Sequence, residues 1–181
     1  MIVGVFVPNC AESRAAVFNQ HLVPAMILGG DGKDHLDGGS GDDVIVVGDG
    51  NDKIFGRGGD DILIGGDGRD DIKGGDGEDI VIGGFTVHDH DLSALDNIFE
   101  EWTANASYLD RINALSNGTG LTGISLTAGV DVFDDGDKDK LDGGKGLDWY
   151  FGDDDGNDGD DDKIKIKVGE VFDQIPDWPT A

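Results

Sequence analysis

The sequence of 181 residues has little of what usually holds a small domain together: one cysteine, four prolines and 7% aromatic residues. Cys10 has no second cysteine to pair with, so an internal disulfide is excluded. No apolar run approaches the roughly 18 residues of a membrane span, and we expect none. The first ten residues lack a basic region, so we expect no cleaved signal peptide.

Positive charge is also scarce. The chain has 13 basic and 39 acidic residues, a net charge of −26. Such a chain repels nucleic acid and anionic membranes and attracts cations. Together with 32 glycines, this composition is typical either of a disordered acidic segment or of a structure that forms only with metal.

A nine-residue repeat decides between these alternatives. Six consecutive blocks run from Gly29 to Ile82, for example GGDGRDDIK and GGDGEDIVI. Position 4 is always glycine. Position 6 is always aspartate, at Asp34, Asp43, Asp52, Asp61, Asp70 and Asp79. Position 8 is always aliphatic, at Leu36, Ile45, Ile54, Leu63, Ile72 and Val81. Biased composition does not keep phase in this way, and a fixed period indicates a solenoid.

The spacing has a physical reason. Positions 7 to 9 can form a short strand whose position-8 side chain points inward, and glycine allows the tight turn that follows. If two blocks make one coil, the position-6 aspartates form two stacked ladders. Carboxylates about 4.7–4.9 Å apart repel each other by a few kcal/mol. A hard cation with six to eight oxygen ligands removes that repulsion.

The blocks resemble the nonapeptide G-G-x-G-x-D-x-U-x of the RTX (repeats-in-toxin) family, a calcium-binding repeat. The resemblance is close over 29–82 and looser over 131–168. It implies a mostly β fold, a parallel β-roll that is a calcium-stabilised right-handed solenoid. We expect a helical capping insertion within it and a degenerate C-terminal repeat segment.

The resemblance also implies where Ca²⁺ binds. Each ion would lie between turns two blocks apart, held by the carbonyls of positions 2 and 4 of one turn, those of positions 1 and 3 of the other, and both position-6 carboxylates. About four complete sites follow. The predicted metal ligands in the main roll are Gly30, Gly32, Asp34, Gly39, Gly41, Asp43, Val47, Gly48, Asp49, Gly50, Asp52, Gly56, Arg57, Gly58, Gly59, Asp61, Gly65, Asp67, Asp70, Gly74, Asp76 and Asp79.

The chain changes character after the repeats. Apolar residues at helical period predict a helix from Leu92 to Trp102. A second helix is predicted over 107–116, with Gly118 as its C-terminal stop. We expect the pair to cover the exposed end of the roll. The segment LTGISLTAGVDVF, 121–133, alternates like strands.

Two other metal motifs are weaker. HDHD, 88–91, could bind zinc, although acids at a helix N-terminus are the favoured interpretation. Asp135, Asp137 and Asp139 have the spacing of an EF-hand loop, but Lys140 replaces its glycine and the glutamate at position 12 is absent. The repeat resumes imperfectly at 134–151, and Asp139, Asp148 and Asp162 are weaker metal candidates.

The predicted domains are an N-terminal flanking segment 1–28, the roll 29–84, the helical insertion 85–118, a degenerate repeat segment 119–168 and a tail 169–181. The order of these segments resembles the C-terminal end of secreted bacterial RTX proteins, which implies a type I secretion signal in the tail.

The leading hypothesis is a calcium-binding module that folds on meeting extracellular calcium and supports type I secretion and folding of a larger exported protein. It implies a secreted or cell-surface bacterial protein, a monomer, whose partners are calcium and the secretion apparatus. The alternatives are an adhesin or surface-layer segment stiffened by calcium, or the non-catalytic tail of a secreted hydrolase. We find no GxSxG or HExxH motif, so we expect any catalysis to lie outside this chain.

Overall fold

The computed structural model of the chain describes residues 24–154 and 161–175 together with the backbone of two upstream strands. Most elements are short strands. The strands are β1 Val3–Phe6, β2 Ala16–Phe18, β3 Ala25–Leu28, β4 His35–Ser40, β5 Val44–Val46, β6 Lys53–Gly58, β7 Ile62–Ile64, β8 Asp71–Asp76, β9 Ile80–Ile82, β10 Phe85–Thr86, β11 Val132–Phe133, β12 Lys140–Lys145, β13 Trp149–Gly152, β14 Lys163–Ile164 and β15 Val171–Gln174. The helices are α1 Leu92–Trp102 and α2 Tyr108–Asn117.

Thirteen of these strands form two parallel sheets. A seven-stranded sheet has the order β1-β3-β5-β7-β9-β13-β15, and a six-stranded sheet has the order β14-β12-β8-β6-β4-β2. Successive repeat blocks therefore alternate between the sheets. Each block lies beside the block two further on, as in the pairing of Ile45 with Leu63. The predicted parallel β-roll is confirmed.

The roll does not stop at Ile82. Ile72 pairs with Leu141 and Val81 pairs with Tyr150. The sequence separation between paired residues, 18 within the regular repeats, is 69 at this point, and the strand register is unchanged. The intervening helical segment is an excursion from a continuous roll. Upstream, β3 and the backbone of β1 and β2 extend the same two sheets.

The inside of the roll is a narrow apolar column. Position-8 side chains from the two sheets meet there and are fully buried, and Tyr150 continues the column beyond the excursion. Most blocks contribute one inward side chain, from position 8, and Val47 adds a second in its block, so the roll has a thin core. Thin cores bury little apolar surface for the chain entropy they must offset.

The helices pack against the outer face of the seven-stranded sheet. Outward-facing Val44, Ile62 and Ile80 share one buried cluster with Leu95 and Trp102. The expectation that the helices cover an end of the roll is wrong, because β9 is continued by β13 and leaves no open end there. No described helix is long and apolar enough to cross a membrane.

The helix bounds follow the sequence signals. Asp91 is the N-cap of α1, and its side chain accepts hydrogen bonds from the amides of Ser93 and Ala94. Ser107 caps α2, and Gly118 ends it in the left-handed conformation at φ 58°. Both helix predictions are confirmed, as is the helix-cap role for the end of HDHD.

The strand prediction for 121–133 is wrong for most of its length. Only β11 forms there, pairing antiparallel with β10. Leu126 is buried and its amide bonds to the carbonyl of Leu115 at the end of α2. Leu121 and Val130 are exposed. The alternating apolar residues of this segment therefore reflect packing against the helices and not strand pairing, because tertiary contacts override the strand propensity.

Candidate metal centre

Two ladders of buried aspartates run along the turns of the roll. The Asp34 ladder consists of Asp34, Asp52, Asp70, Asp139 and Asp162. The Asp43 ladder consists of Asp43, Asp61, Asp79 and Asp148. All nine are at most 7% exposed. Three of them lie beyond the excursion, where the sequence indicated only weaker candidates.

Backbone amides tie each ladder together. The amide of Asp34 donates to Oδ1 of Asp52 (2.6 Å), and that of Asp52 donates to Oδ1 of Asp70 (2.8 Å). Across the excursion, the amide of Asp70 donates to Oδ1 of Asp139 (2.7 Å). In the other ladder the amide of Asp79 donates to Oδ1 of Asp148 (3.0 Å). One oxygen of each of these acceptor carboxylates is thus held at a set position between two turns.

The second carboxylate oxygen is the informative one. Oδ2 is buried and accepts no hydrogen bond in Asp52, Asp61, Asp70, Asp79 and Asp139. A buried carboxylate oxygen without a partner costs free energy. A repeated cost of this kind, at the same atom of successive turns, indicates that these oxygens have a ligand.

Space for that ligand lies beside the unpartnered oxygen. A Cβ added to Gly56 would overlap Oδ2 of Asp61 and would meet the carbonyl oxygen of Gly74 at 2.7 Å. Gly65 and Gly74 occupy position 1 in the next two turns and have the same kind of neighbours, a ladder carboxylate and a backbone carbonyl. Each of these three glycines keeps a space lined by a carboxylate and a carbonyl oxygen, which is the donor set that Ca²⁺ prefers.

The electrostatics of the ladders also favour a cation. Burial, followed by the charges of Asp79 and Asp43, raises the pKa of Asp61 to about 9. Burial likewise raises the pKa of Asp79 to about 8 and that of Asp70 to about 8. The ionised forms of these three carboxylates are therefore destabilised by desolvation and by neighbouring acids, and a divalent ion would remove both penalties.

The family comparison agrees with this geometry. The model of the RTX calcium-binding nonapeptide repeat (4 copies) matches residues 28–63 and 55–85. The chain therefore contains RTX calcium-binding nonapeptide repeats over residues 28–85. No curated protein and no solved structure was found to match the chain. RTX repeats bind calcium and occur in secreted bacterial proteins, and RTX repeat domains are generally structural, non-catalytic modules.

The RTX turns depend on glycine at particular positions. Gly59 has φ 122°, and a Cβ there would overlap the carbonyl of Gly41 in the preceding turn. Its neighbour Gly58, at variable position 3, has open space, with its nearest contact 3.9 Å away. The turns of one edge therefore stack backbone on backbone, which places their carbonyls beside the ladder.

Arg57 is the exception among the position-2 residues. It is the one non-glycine residue with positive φ, 83°, in the described parts of the chain. Its exposed guanidinium donates to Oδ2 of Asp37 (2.6 Å) and lies over the ring of Phe55. These contacts hold the side chain on the outer face of the six-stranded sheet, away from the turn carbonyls.

The predicted ligand set is therefore brought together by stacking. The carbonyls of Asp49, Gly58, Asp67 and Asp76 at position 3 lie at the interface between turns, where each accepts an amide hydrogen bond (2.7, 2.7, 2.7 and 2.9 Å). A carbonyl oxygen keeps a second lone pair. No group of three or more His, Cys, Asp or Glu side chains forms a metal cluster in the described ranges.

The other predicted metal motifs have different partners. His88 contacts the carbonyl of Ser125, and Asp89 accepts from Thr86. Asp135 accepts from the amide of Gly68 (2.6 Å), and Asp137 pairs with Arg69 (3.2 Å). The Asp135 and Asp137 side chains thus attach the resumed repeat to the turn before the excursion.

Sequence reasoning missed a buried arginine that holds the Asp43 edge. Arg111 of α2 pairs with Asp60 (3.2 Å) and with Glu78, which are the position-5 residues of two turns. Its guanidinium also lies 4.6 Å from the centre of the Trp102 ring. The available signal was the run of acids at position 5, Asp42, Asp60 and Glu78, which needs a cation nearby.

Proposed function

We propose that the chain is a calcium-triggered folding module that supports type I secretion and folding of a larger exported protein. The observation that carries the proposal is the repeated buried Oδ2 atom that lacks a hydrogen bond in both ladders. Where calcium is scarce, the ionised ladders oppose the fold and the chain stays extended enough for export. Outside the cell, millimolar calcium is sufficient even for sites with a Kd of about 10⁻⁴–10⁻³ M.

The ladders would hold more ions than the four sites that the repeats alone predicted. Pairs two blocks apart are Asp34/Asp52, Asp43/Asp61, Asp52/Asp70 and Asp61/Asp79. Register across the excursion adds the pairs Asp70/Asp139 and Asp79/Asp148, and the resumed repeat adds Asp139/Asp162. A bound Ca²⁺ supplies positive charge between two carboxylates. The protein supplies fixed oxygens, and the two parts of the roll become joined by shared sites.

Binding would be coupled to folding because the sites do not exist in an extended chain. Each ion that binds only the rolled state stabilises it by mass action. The thin core of the roll makes that contribution decisive, whereas the Trp102 cluster gives the seven-stranded sheet some stability of its own.

The adhesin alternative needs an exposed aromatic or apolar patch away from the ladders, for which the candidates are Trp149, Tyr150, Phe172 and Trp178. Trp149 and Tyr150 are fully buried, and Phe172 packs against the inner column. Trp178 lies outside the described residues. No described observation favours this alternative over calcium-triggered folding.

Far-UV circular dichroism of the chain in chelator, titrated with calcium and separately with magnesium, tests the proposal. We expect a cooperative gain of β signal with calcium alone. The triple variant Asp52→Asn, Asp61→Asn, Asp70→Asn should lose it. A control of equal charge, Asp96→Asn, Glu100→Gln, Asp154→Asn, removes exposed acids outside the ladders and should keep it. A wild-type chain fully folded in chelator at neutral pH would contradict the proposal.

Secretion needs its own test. The same two triple variants, fused to a passenger, would be compared in a cell with a type I secretion apparatus. We expect lower export or lower activity of the exported passenger only for the ladder variant. Equal yields of active passenger from both variants would remove the secretion role and leave calcium binding intact.

A further inference from the structure

The outer face of the six-stranded sheet gathers scarce positive charge around one hollow. The hollow has a volume of about 370 Å³. Six cationic residues line it: Lys33, Lys53, Arg69, Lys138, Lys140 and Lys163. They are nearly half of the 13 basic residues in a chain that has 39 acids.

The lysines of the hollow are not used in ion pairs. None of the five forms one with any described residue, although other lysines of the same region do. Lys145 pairs with Asp76 (2.7 Å) and Lys165 pairs with Asp142 (2.5 Å). Acids are abundant in this chain, so five lysines around one hollow that form no ion pair with a described residue point to a ligand of opposite charge.

Strand register places two lysines on neighbouring strands, and their repulsion costs free energy when no ligand is bound. On successive strands the outer residues are Lys53, Asp71, Lys140 and Lys163, and Lys140 lies directly opposite Lys163. Neighbouring strands are about 4.8 Å apart, and like charges at that range are destabilising. Asp71 lies between Lys53 and Lys140, so the like-charge pair is Lys140 and Lys163, and a bound anion would offset its repulsion.

The hollow is also bounded by the Asp34 ladder, through Asp52, Asp70 and Asp139. Their negative charges oppose an anion until calcium neutralises them. The inference thus rests on the proposed calcium loading of this ladder, and it makes anion binding dependent on calcium.

We propose that the calcium-loaded roll binds a multivalent oxyanion in this hollow, a molecule that carries several sulfate or phosphate ester groups. Lysine binds such groups as a mobile point charge with three donors. The volume lies within the range of about 300–1,000 Å³ usual for small-ligand sites. The ester groups can belong to a small polyol or to a chain of sugars.

The test measures binding by calorimetry to the full chain in millimolar calcium. The probes are inositol hexasulfate, dextran sulfate and inorganic sulfate, since sulfates compete little for calcium. We expect the variant Lys140→Gln, Lys163→Gln to lose about tenfold in affinity for the multivalent probes. The control Lys145→Gln, Lys165→Gln removes two paired lysines and should change it less than about twofold.

The arms of the experiment separate the possible results. Tight binding of inositol hexasulfate assigns a small ligand, and binding of dextran sulfate alone assigns a sulfated polysaccharide. Equal losses in the two double variants, or no binding by a calcium-folded chain, would overturn the proposal. Circular dichroism of the same samples reports calcium-triggered folding, so failure of the anion site is distinguished from failure of the proposed function.

Discussion

The two sheets of the roll are built from the same repeat but have different surroundings. Strands of the seven-stranded sheet, such as β7 with the sequence ILI, are apolar on both faces and fully buried. The equivalent strand of the six-stranded sheet begins KIF and exposes its lysine. One sheet is covered by helices and the other faces solvent. The position-7 and position-9 residues therefore report what lies outside the roll, while position 8 reports only what lies inside.

The turns differ in the same way. Position 5 is acidic on the Asp43 edge, at Asp60 and Glu78, and Arg111 pairs with both. On the Asp34 edge the corresponding residues include Lys33 and Arg69, and no helix contributes a charge. The proposed calcium sites of the two edges thus have opposite electrostatic surroundings, although their ladder geometry is the same.

The largest expected effect is on the stability of the metal-free roll, which should depend strongly on pH because of the two aspartate ladders. Raised carboxylate pKa values in the folded state mean that the metal-free roll binds more protons than the unfolded chain. Its stability is then fully present below a pH of about 4 and is lost as the pH rises. Since the pKa of Asp61 is about 9 and that of Asp70 about 8, the loss extends to alkaline pH.

Circular dichroism and urea unfolding in chelator from pH 5 to pH 9 check this expectation. Carboxyl resonances sharpen the comparison of the edges, because the pKa of Asp52 lies below that of Asp61. Burial raises the pKa of Asp52 to about 6, against the opposing effects of its hydrogen bond with the backbone of Asp34 and of the charge of Lys33. A metal-free roll equally stable across this range, or Asp52 and Asp61 titrating together, would contradict the account.

Removing the cover of the seven-stranded sheet should have the next largest effect. Trp102→Ala deletes a fully buried ring and should lower the free energy of unfolding by about 3–5 kcal/mol. The matched change on the open sheet, Phe55→Ala, removes a half-buried ring on the outer face and should cost about 1 kcal/mol. Urea unfolding in calcium measures both. Similar losses would show that the helices contribute little to the roll.

The arginines of the two edges provide the third comparison. Arg111→Met leaves Asp60 and Glu78 without their buried partner and should cost about 3 kcal/mol. Arg69→Met breaks an exposed pair with Asp137 and should cost less than about 1 kcal/mol. Thermal unfolding in calcium, with calcium affinity measured on the same samples, distinguishes the two. A larger loss of stability for Arg69→Met than for Arg111→Met would contradict the conclusion that Arg111 stabilises the turns along the Asp43 ladder.

The smallest expected effect is a change of charge at position 5. Asn51→Asp gives the Asp34 edge the residue type found at Asp42 and Asp60, and we expect calcium affinity to rise about two- to fivefold. Asn113→Asp makes the same charge change on the exposed surface of α2 and serves as the control. Calorimetric titration with calcium measures both variants. Equal affinities would show that position 5 does not influence the sites.

Much of the roll could be predicted because each block repeats the same local solution. Glycine at position 4, aspartate at position 6 and an aliphatic at position 8 define turn, ladder and core without long-range information. The helices were also predictable, since Asp91, Ser107 and Gly118 are local caps. Residues 121–133 were not, because Leu126 is placed by packing on α2 and not by its own alternation.

The candidate site was predicted within the regular repeats and only weakly beyond them. Asp139, Asp148 and Asp162 carried a faint signal because their blocks are irregular and lie far along the chain. Strand pairing places Asp139 beside Asp70 and Asp148 beside Asp79. The ligand residues stay a prediction, as do the domain limits.

The sequence by itself determined the period, the inward residues and the two aspartate ladders, since those depend on neighbours within a block and on identical blocks stacking. Only the tertiary structure decided which sheet is covered, that the excursion rejoins the roll in register, and that Arg111 reaches the acidic edge. Those features arise between segments about 30 to 70 residues apart, where packing and charge neutralisation act and local pattern carries no information.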